Sequence, residues 1–124
     1  MRSRFPRAIL ATAFVLAAAV AVPPTGAPAQ SATVTSVTVK MVEYRFLLSA
    51  HKVRTGTVVF TVINKGQLPH TFDIQSLQRV TALIQPGQRA VLRVTFRKPG
   101  AYYYLCTVGA HVQYGMYGTL TVTR

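Results

Sequence analysis

The sequence predicts an all-β domain, a Greek-key β-sandwich of about eight short strands. Three observations carry that prediction. Past residue 29 no apolar period of helical length survives. Apolar and polar residues alternate instead, in runs the length of a strand. Segments rich in Pro, Gly and Asn then punctuate those runs at short intervals.

The first strand is expected over 33–41, where Val37, Val39 and Met41 share one parity. Val42, Tyr44 and Phe46 share the other, and the second strand is expected over 43–48. That switch predicts a bulge or corner near Met41–Val42. After "RTG" (54–56) comes 56–63, with Val58, Phe60 and Val62 facing inward. "NKGQLP" (64–69) then leads to strands over 70–76 and 79–84. "QPGQ" (85–88) and "KPGA" (98–101) each put Pro before Gly, which suits a type II turn with Gly at positive φ. Between them, over 89–97, Ala90, Leu92, Val94 and Phe96 alternate with Arg89, Arg93, Thr95 and Arg97. "AYYYLC" makes the strand 101–106, and Leu120 and Val122 alternate with threonines over 117–123. No internal repeat and no second domain are evident.

The start of the chain reads differently. Arg2, Arg4 and Arg7 precede a predominantly apolar run of fifteen, Ala8–Val22, and Ala27-Pro28-Ala29 fits a small-x-small cleavage site. The run falls short of the roughly 20 residues that a membrane span needs. Residues 1–29 are therefore expected to be a signal peptide and 30–124 the exported domain, periplasmic or extracellular. Membrane attachment would require the leader to be retained.

The full chain carries 14 Lys and Arg against 2 acids, net +12; without the three leader arginines the net charge is +9, with Glu43 and Asp73 as the acids. The basic residues are scattered and no nucleic-acid motif appears, so nucleic acid is not expected as a partner. Two readings remain for the charge: a solvated surface, or attraction to an acidic protein or anionic membrane. A single cysteine in an exported chain cannot close an internal disulfide and requires burial, a partner chain or a metal.

That cysteine lies in "YLCTVGAHVQYGM" (104–116), where four residues separate Cys106 from His111 and four more separate His111 from Met116. The segment falls between two predicted strands, which would fix its ends and let its side chains converge. His70, 36 residues before Cys106 and also where a turn enters a strand, is the candidate fourth donor. Two imidazoles, a thiolate and a thioether form a soft mixed donor set suited to electron-transfer copper. Zinc would favour more thiolates or a water position and gain nothing from Met116. His51 lies in a polar turn and is expected to be solvated; Met41 and Tyr102–Tyr104 are expected to pack in the sandwich.

At these residues the chain resembles the blue copper proteins, or cupredoxins, the family of plastocyanin, azurin and auracyanin. "VVFTVINKGQLPHTFDI" is similar to the segment that carries the family's first histidine ligand. "PGAYYYLCTVGAHVQYGMYGTLTV" is similar to its C-terminal ligand loop and last strand, with the spacing of the auracyanin type. The resemblance implies a cupredoxin-like fold and one mononuclear type 1 copper ligated by His70, Cys106, His111 and Met116. Asn64 matches a loop asparagine that often precedes the first ligand, and Thr107 the hydroxyl residue that commonly follows the cysteine. Thr71 departs from the family, many of whose members place there an asparagine that helps to tie the ligand loops together.

The function implied is one-electron transfer between exported redox proteins, with the edge of His111 as electron port. Leu68, Pro69, Ala110 and Val112 flank the histidines and suit an apolar patch there. The alternative is a copper carrier or resistance protein with the same ligands and no obligatory redox role. An enzyme is not expected. Only His51 is left for a second copper centre, and a dinuclear electron-entry centre would need a second cysteine. A Cys-His hydrolase would have only Glu43 and Asp73 to orient its histidine, with no sign of an oxyanion site. Nothing signals an oligomer, so a monomer is expected.

Overall fold

The computed structural model describes residues 13–29 and 33–124. Arg2, Arg4, Arg7 and the first part of the apolar run lie outside the described residues, as does Gln30 after the expected cleavage site. Residues 13–29 carry no helix or strand and are exposed. Among the described residues no helix is long and apolar enough to cross a membrane.

Among the described residues nine strands form two facing sheets. They are β1 (Val34–Val42), β2 (Arg45–Leu48), β3 (Lys52–Arg54), β4 (Gly56–Asn64), β5 (Asp73–Ile74), β6 (Arg79–Val80), β7 (Arg89–Phe96), β8 (Gly100–Leu105) and β9 (Tyr117–Thr123). One sheet has the order β2-β1-β4-β7, the other β3-β9-β8-β5-β6. β1 pairs in parallel with β4, and β3 with β9; the other pairings are antiparallel. Parallel neighbours cannot be joined by a hairpin, so the chain crosses between sheets, as a Greek-key sandwich requires.

The alternations set the register. Phe60 lies opposite Val37 on one side and Leu92 on the other, and Val58 opposite Val94, so three strands present one continuous apolar face. Leu120 and Val122 of β9 and Tyr104 of β8 are buried against it. Phe72 fills the centre, with ring centroids 5.3–5.4 Å from Phe46, Phe60 and Tyr104. Burying a phenylalanine completely contributes about 1.5–3 kcal/mol.

Three local expectations are corrected, and one strand is added. The parity switch at Met41–Val42 is a tight hairpin, with Val42 opposite Arg45 and only Glu43 and Tyr44 in the turn. Reversing the chain brings Phe46 beside Met41 on the same buried face, where a bulge would have continued one strand. The strand expected over 70–76 is short, because His70 makes only an isolated bridge to Ile84 and a 3-10 turn at Gln75–Leu77 ends β5. The strand expected over 79–84 is likewise reduced to Arg79–Val80 plus that bridge at Ile84. β3 was not expected: three residues are too few to show a period, and Val53 is buried only because β9 runs alongside.

"QPGQ" turns as expected, with Gly87 at φ 80° and the Gln88 N–H donating to the Gln85 carbonyl at 3.0 Å. At "KPGA", Gly100 already belongs to β8, and the Lys98 carbonyl accepts from the Tyr102 hydroxyl at 2.7 Å.

Candidate metal centre

Three chain segments meet at one end of the sandwich: the β1–β2 hairpin, the loop after β4, and the β8–β9 loop. Cys106 directly follows β8, and its N–H donates to the Met116 carbonyl at 3.0 Å, continuing the β8–β9 ladder by one rung. The loop is thus closed at its base. Inside it, a 3-10 turn spans His111–Tyr114, and the Met116 N–H donates to the His111 carbonyl at 3.1 Å. Gly115 ends that turn at φ 99°, a conformation that a residue with a Cβ rarely adopts.

His70 is delivered by the loop after β4, and Asn64 shapes that loop. Its side-chain amide donates to the carbonyls of Leu68 (2.7 Å) and Ile84 (2.8 Å), and its oxygen accepts from the Gly66 N–H (2.9 Å). Asn64 is fully buried, so each of these bonds replaces water that cannot enter.

These elements bring His70, Cys106 and His111 together. The two Nδ1 atoms are 3.1 Å apart, and Cys106 Sγ lies 3.9 Å from His70 Nδ1 and 3.6 Å from that of His111. A point about 2.1 Å from all three atoms follows from those separations, within the roughly 2.0–2.3 Å of nitrogen– and sulfur–metal bonds. The triangle therefore fits a single ion. With one thiolate and two imidazoles as donors, the residues are positioned as one copper site. His70 and Cys106 are fully buried and His111 is partly exposed. Met116 is fully buried at the base of the loop, its main chain bonded to both Cys106 and His111.

Thr71 and Thr107 lie beside the sulfur. The Thr71 N–H points at Cys106 Sγ from 3.5 Å, and the Thr71 hydroxyl bonds both the hydroxyl and the N–H of Thr107 at 2.8 Å. The departure from asparagine at position 71 thus still ties the two ligand loops, through a hydroxyl in place of an amide. Burial, and next the proximity of His70, hold the His111 imidazole below its ordinary value; Glu43 opposes the shift.

Two contributors escaped the sequence reading. Glu43 Oε1 lies 3.0 Å from His70 Nε2 and accepts from the N–H groups of Gln67 and Leu68 at 2.8 Å. The Leu68 N–H above all holds this carboxyl below its ordinary value, against some desolvation, with help from His70 and Gln67. The available signal was its rarity, one of 2 acids in the chain. Tyr44, the other turn residue, packs edge-on against His111 at 5.1 Å and leans on Tyr114 at 4.8 Å. Leu68, Tyr114 and the partly exposed Pro69, Ala110 and Val112 leave an apolar rim around the histidines. His51 is exposed and away from the centre, its carbonyl accepting from Thr121.

A two-sheet sandwich with a buried His-Cys-His triangle at one end defines a copper-binding β-sandwich. Residues 7–122 match the family model of the cupredoxin-like domain, and the chain belongs to that family. Among solved structures, auracyanin B matches with a TM-score of 0.62 and 18% identity over 77% of this chain and 92% of its own. Reduced auracyanin from the photosynthetic bacterium Roseiflexus castenholzii gives 0.61 and 20%, over 76% of this chain and 100% of its own. A copper nitrite reductase from Nitrosomonas europaea gives 0.57 and 23%, over 73% of this chain but 42% of its own. At such identities the likeness establishes the fold. No curated protein matches the chain.

Proposed function

We propose that the protein is an exported one-electron carrier holding a single type 1 copper. The observation that carries this reading is the Sγ–Nδ1–Nδ1 triangle, buried and sized for one ion. Bound copper supplies a one-electron couple, Cu(I)/Cu(II). The protein's part is to keep the donors still. The closed β8–β9 loop, Asn64 and the Thr71–Thr107 tie hold ligands that serve both oxidation states with little rearrangement. Met116, at the base of the same loop, would supply the weak fourth donor to the copper.

His111 is the ligand nearest solvent, and its apolar rim suits close approach of a redox partner. The basic surface favours an acidic one. Auracyanins, blue copper proteins, share the fold over nearly their whole length. A carrier rather than an enzyme is supported by the donor count. The chain has 3 histidines and 1 cysteine, and His51 alone is left after the triangle. The basic N-terminus and apolar run support export with the leader removed after Ala29.

Adding Cu(II) to the metal-free protein while recording visible absorption and EPR tests the proposal. Intense thiolate-to-copper absorption with one copper per chain and a reversible one-electron couple is expected. Binding confined to Cu(I), without a reversible couple, would replace the electron carrier by a copper carrier.

A further inference from the structure

We propose that Glu43 is a positioning residue of this centre, fixing the tautomer of His70 and supplying the negative charge that biases the site toward Cu(II). The inference rests on the copper reading above and deepens it. Glu43 stands in the two-residue turn between β1 and β2, 27 residues before His70. All three of its hydrogen bonds fall on one oxygen: the N–H groups of Gln67 and Leu68, and His70 Nε2. The carboxylate therefore grips both the loop that delivers His70 and the imidazole itself.

A carboxylate can only accept, so the proton of the neutral imidazole lies on Nε2. Nδ1 is then bare, and Nδ1 is the atom that faces Cys106 Sγ and His111 Nδ1. Glu43 selects the tautomer that the triangle needs. The room for it comes from Gly66, where an added Cβ would collide with the Glu43 carboxyl group.

The charge matters as much as the bond. Glu43 is one of 2 acids in a chain of net charge +12, and its contact with His70 is the one acid–base pair among the described residues. A thiolate at Cys106 and a carboxylate at Glu43 match two positive charges and overmatch one. The Glu43 side chain is 27% exposed, so solvent screens part of that difference, but its contact with a fully buried imidazole leaves it stronger than between two surface charges. The carboxylate thus favours the doubly charged ion.

Three variants of the full chain separate orientation from charge. Glu43→Gln keeps an acceptor oxygen for the three donors and removes only the charge. Glu43→Ala removes both. Gly66→Ala keeps the glutamate but denies its carboxyl group the docking place. In copper-loaded protein, Glu43→Gln should lower the preference for Cu(II) over Cu(I) about tenfold, raising the midpoint potential by about 59 mV for one electron. Glu43→Ala and Gly66→Ala should shift it the same way and lose Cu(II) about 10- to 100-fold more readily.

In metal-free protein, imidazole 15N shifts should show His70 with Nε2 protonated in wild type and Glu43→Gln, and a mixture of tautomers in the other two. An unchanged potential in Glu43→Gln would overturn the charge role. An unchanged tautomer in both alanine variants would overturn the orienting role. Should wild type itself bind no Cu(II), the copper reading fails, while the metal-free comparison still decides whether Glu43 orients His70.

Discussion

The Thr71 hydroxyl oxygen lies 2.8 Å from both the amide nitrogen and the hydroxyl oxygen of Thr107, lacing the His70 segment to the Cys106 segment. Both residues adjoin ligands, so this one side chain holds the two halves of the triangle in register. Replacing Thr71 with Val keeps the shape and leaves the partly buried Thr107 N–H without its partner. The expected cost is about 1–3 kcal/mol. Urea unfolding of the metal-free protein measures it, and Thr71→Ser should recover most of the loss.

Cys106→Ser should abolish the intense visible absorption on adding Cu(II), because a hydroxyl cannot supply the thiolate's charge-transfer electrons. Met116→Leu should leave copper bound and the colour present, with a shifted potential, because a weak thioether donor would tune the couple without holding the ion. A blue Ser variant would refute the cysteine assignment. An unshifted potential in the Leu variant would refute the assignment of Met116.

The metal-free protein should lose stability on acidification through the imidazole range. His111 is held below its ordinary 6.5 when folded, so between that value and the folded one the unfolded chain binds more protons. Its contribution is present above about 6.5 and fades as pH falls. Thermal melts of wild type and His111→Gln across that range should show the slope in the first and a flatter profile in the second.

Asp73 carries the opposite sign for a carboxylate. Burial on β5 pushes its carboxyl above the ordinary 3.8, so the folded state binds the extra proton and stability falls as pH rises past that value. Asp73→Asn should therefore melt at a higher temperature than wild type at neutral pH. The advantage should vanish below about pH 3.8. An equal gain at every pH would point to packing, not charge.

Electron transfer to an acidic redox protein should slow as ionic strength rises, since the net positive surface steers the encounter and screening shortens its reach to about 8 Å at physiological salt. Stopped-flow rates across a salt series check this. Rates indifferent to salt would remove charge steering from the account.

Most of the sandwich was legible because strand alternation is local. Val58, Phe60, Val62, Leu92, Val94, Phe96, Leu120 and Val122 are all buried, as their parity implies. The β8–β9 loop was legible for the same reason, since Cys106, His111 and Met116 lie on one short stretch. Short elements were less so: β3, with 3 residues, was missed, and β5, with 2, was expected as a longer strand over 70–76, since neither is long enough for a period to show. The hairpin at Glu43–Tyr44 was not legible, because the same slip in parity between two strands is equally produced by a bulge or a corner.

Residue types and their order determined by themselves that this chain would make a β-sandwich and carry a soft His, Cys and Met donor set, because both follow from neighbours within a few positions. Only the folded chain decided which other groups surround that set. Glu43 on His70, Thr71 on Thr107 and Tyr44 on His111 are partners 27, 36 and 67 residues apart. No local pattern can encode such pairs, because they depend on how two sheets stack and which turns end up at the same rim.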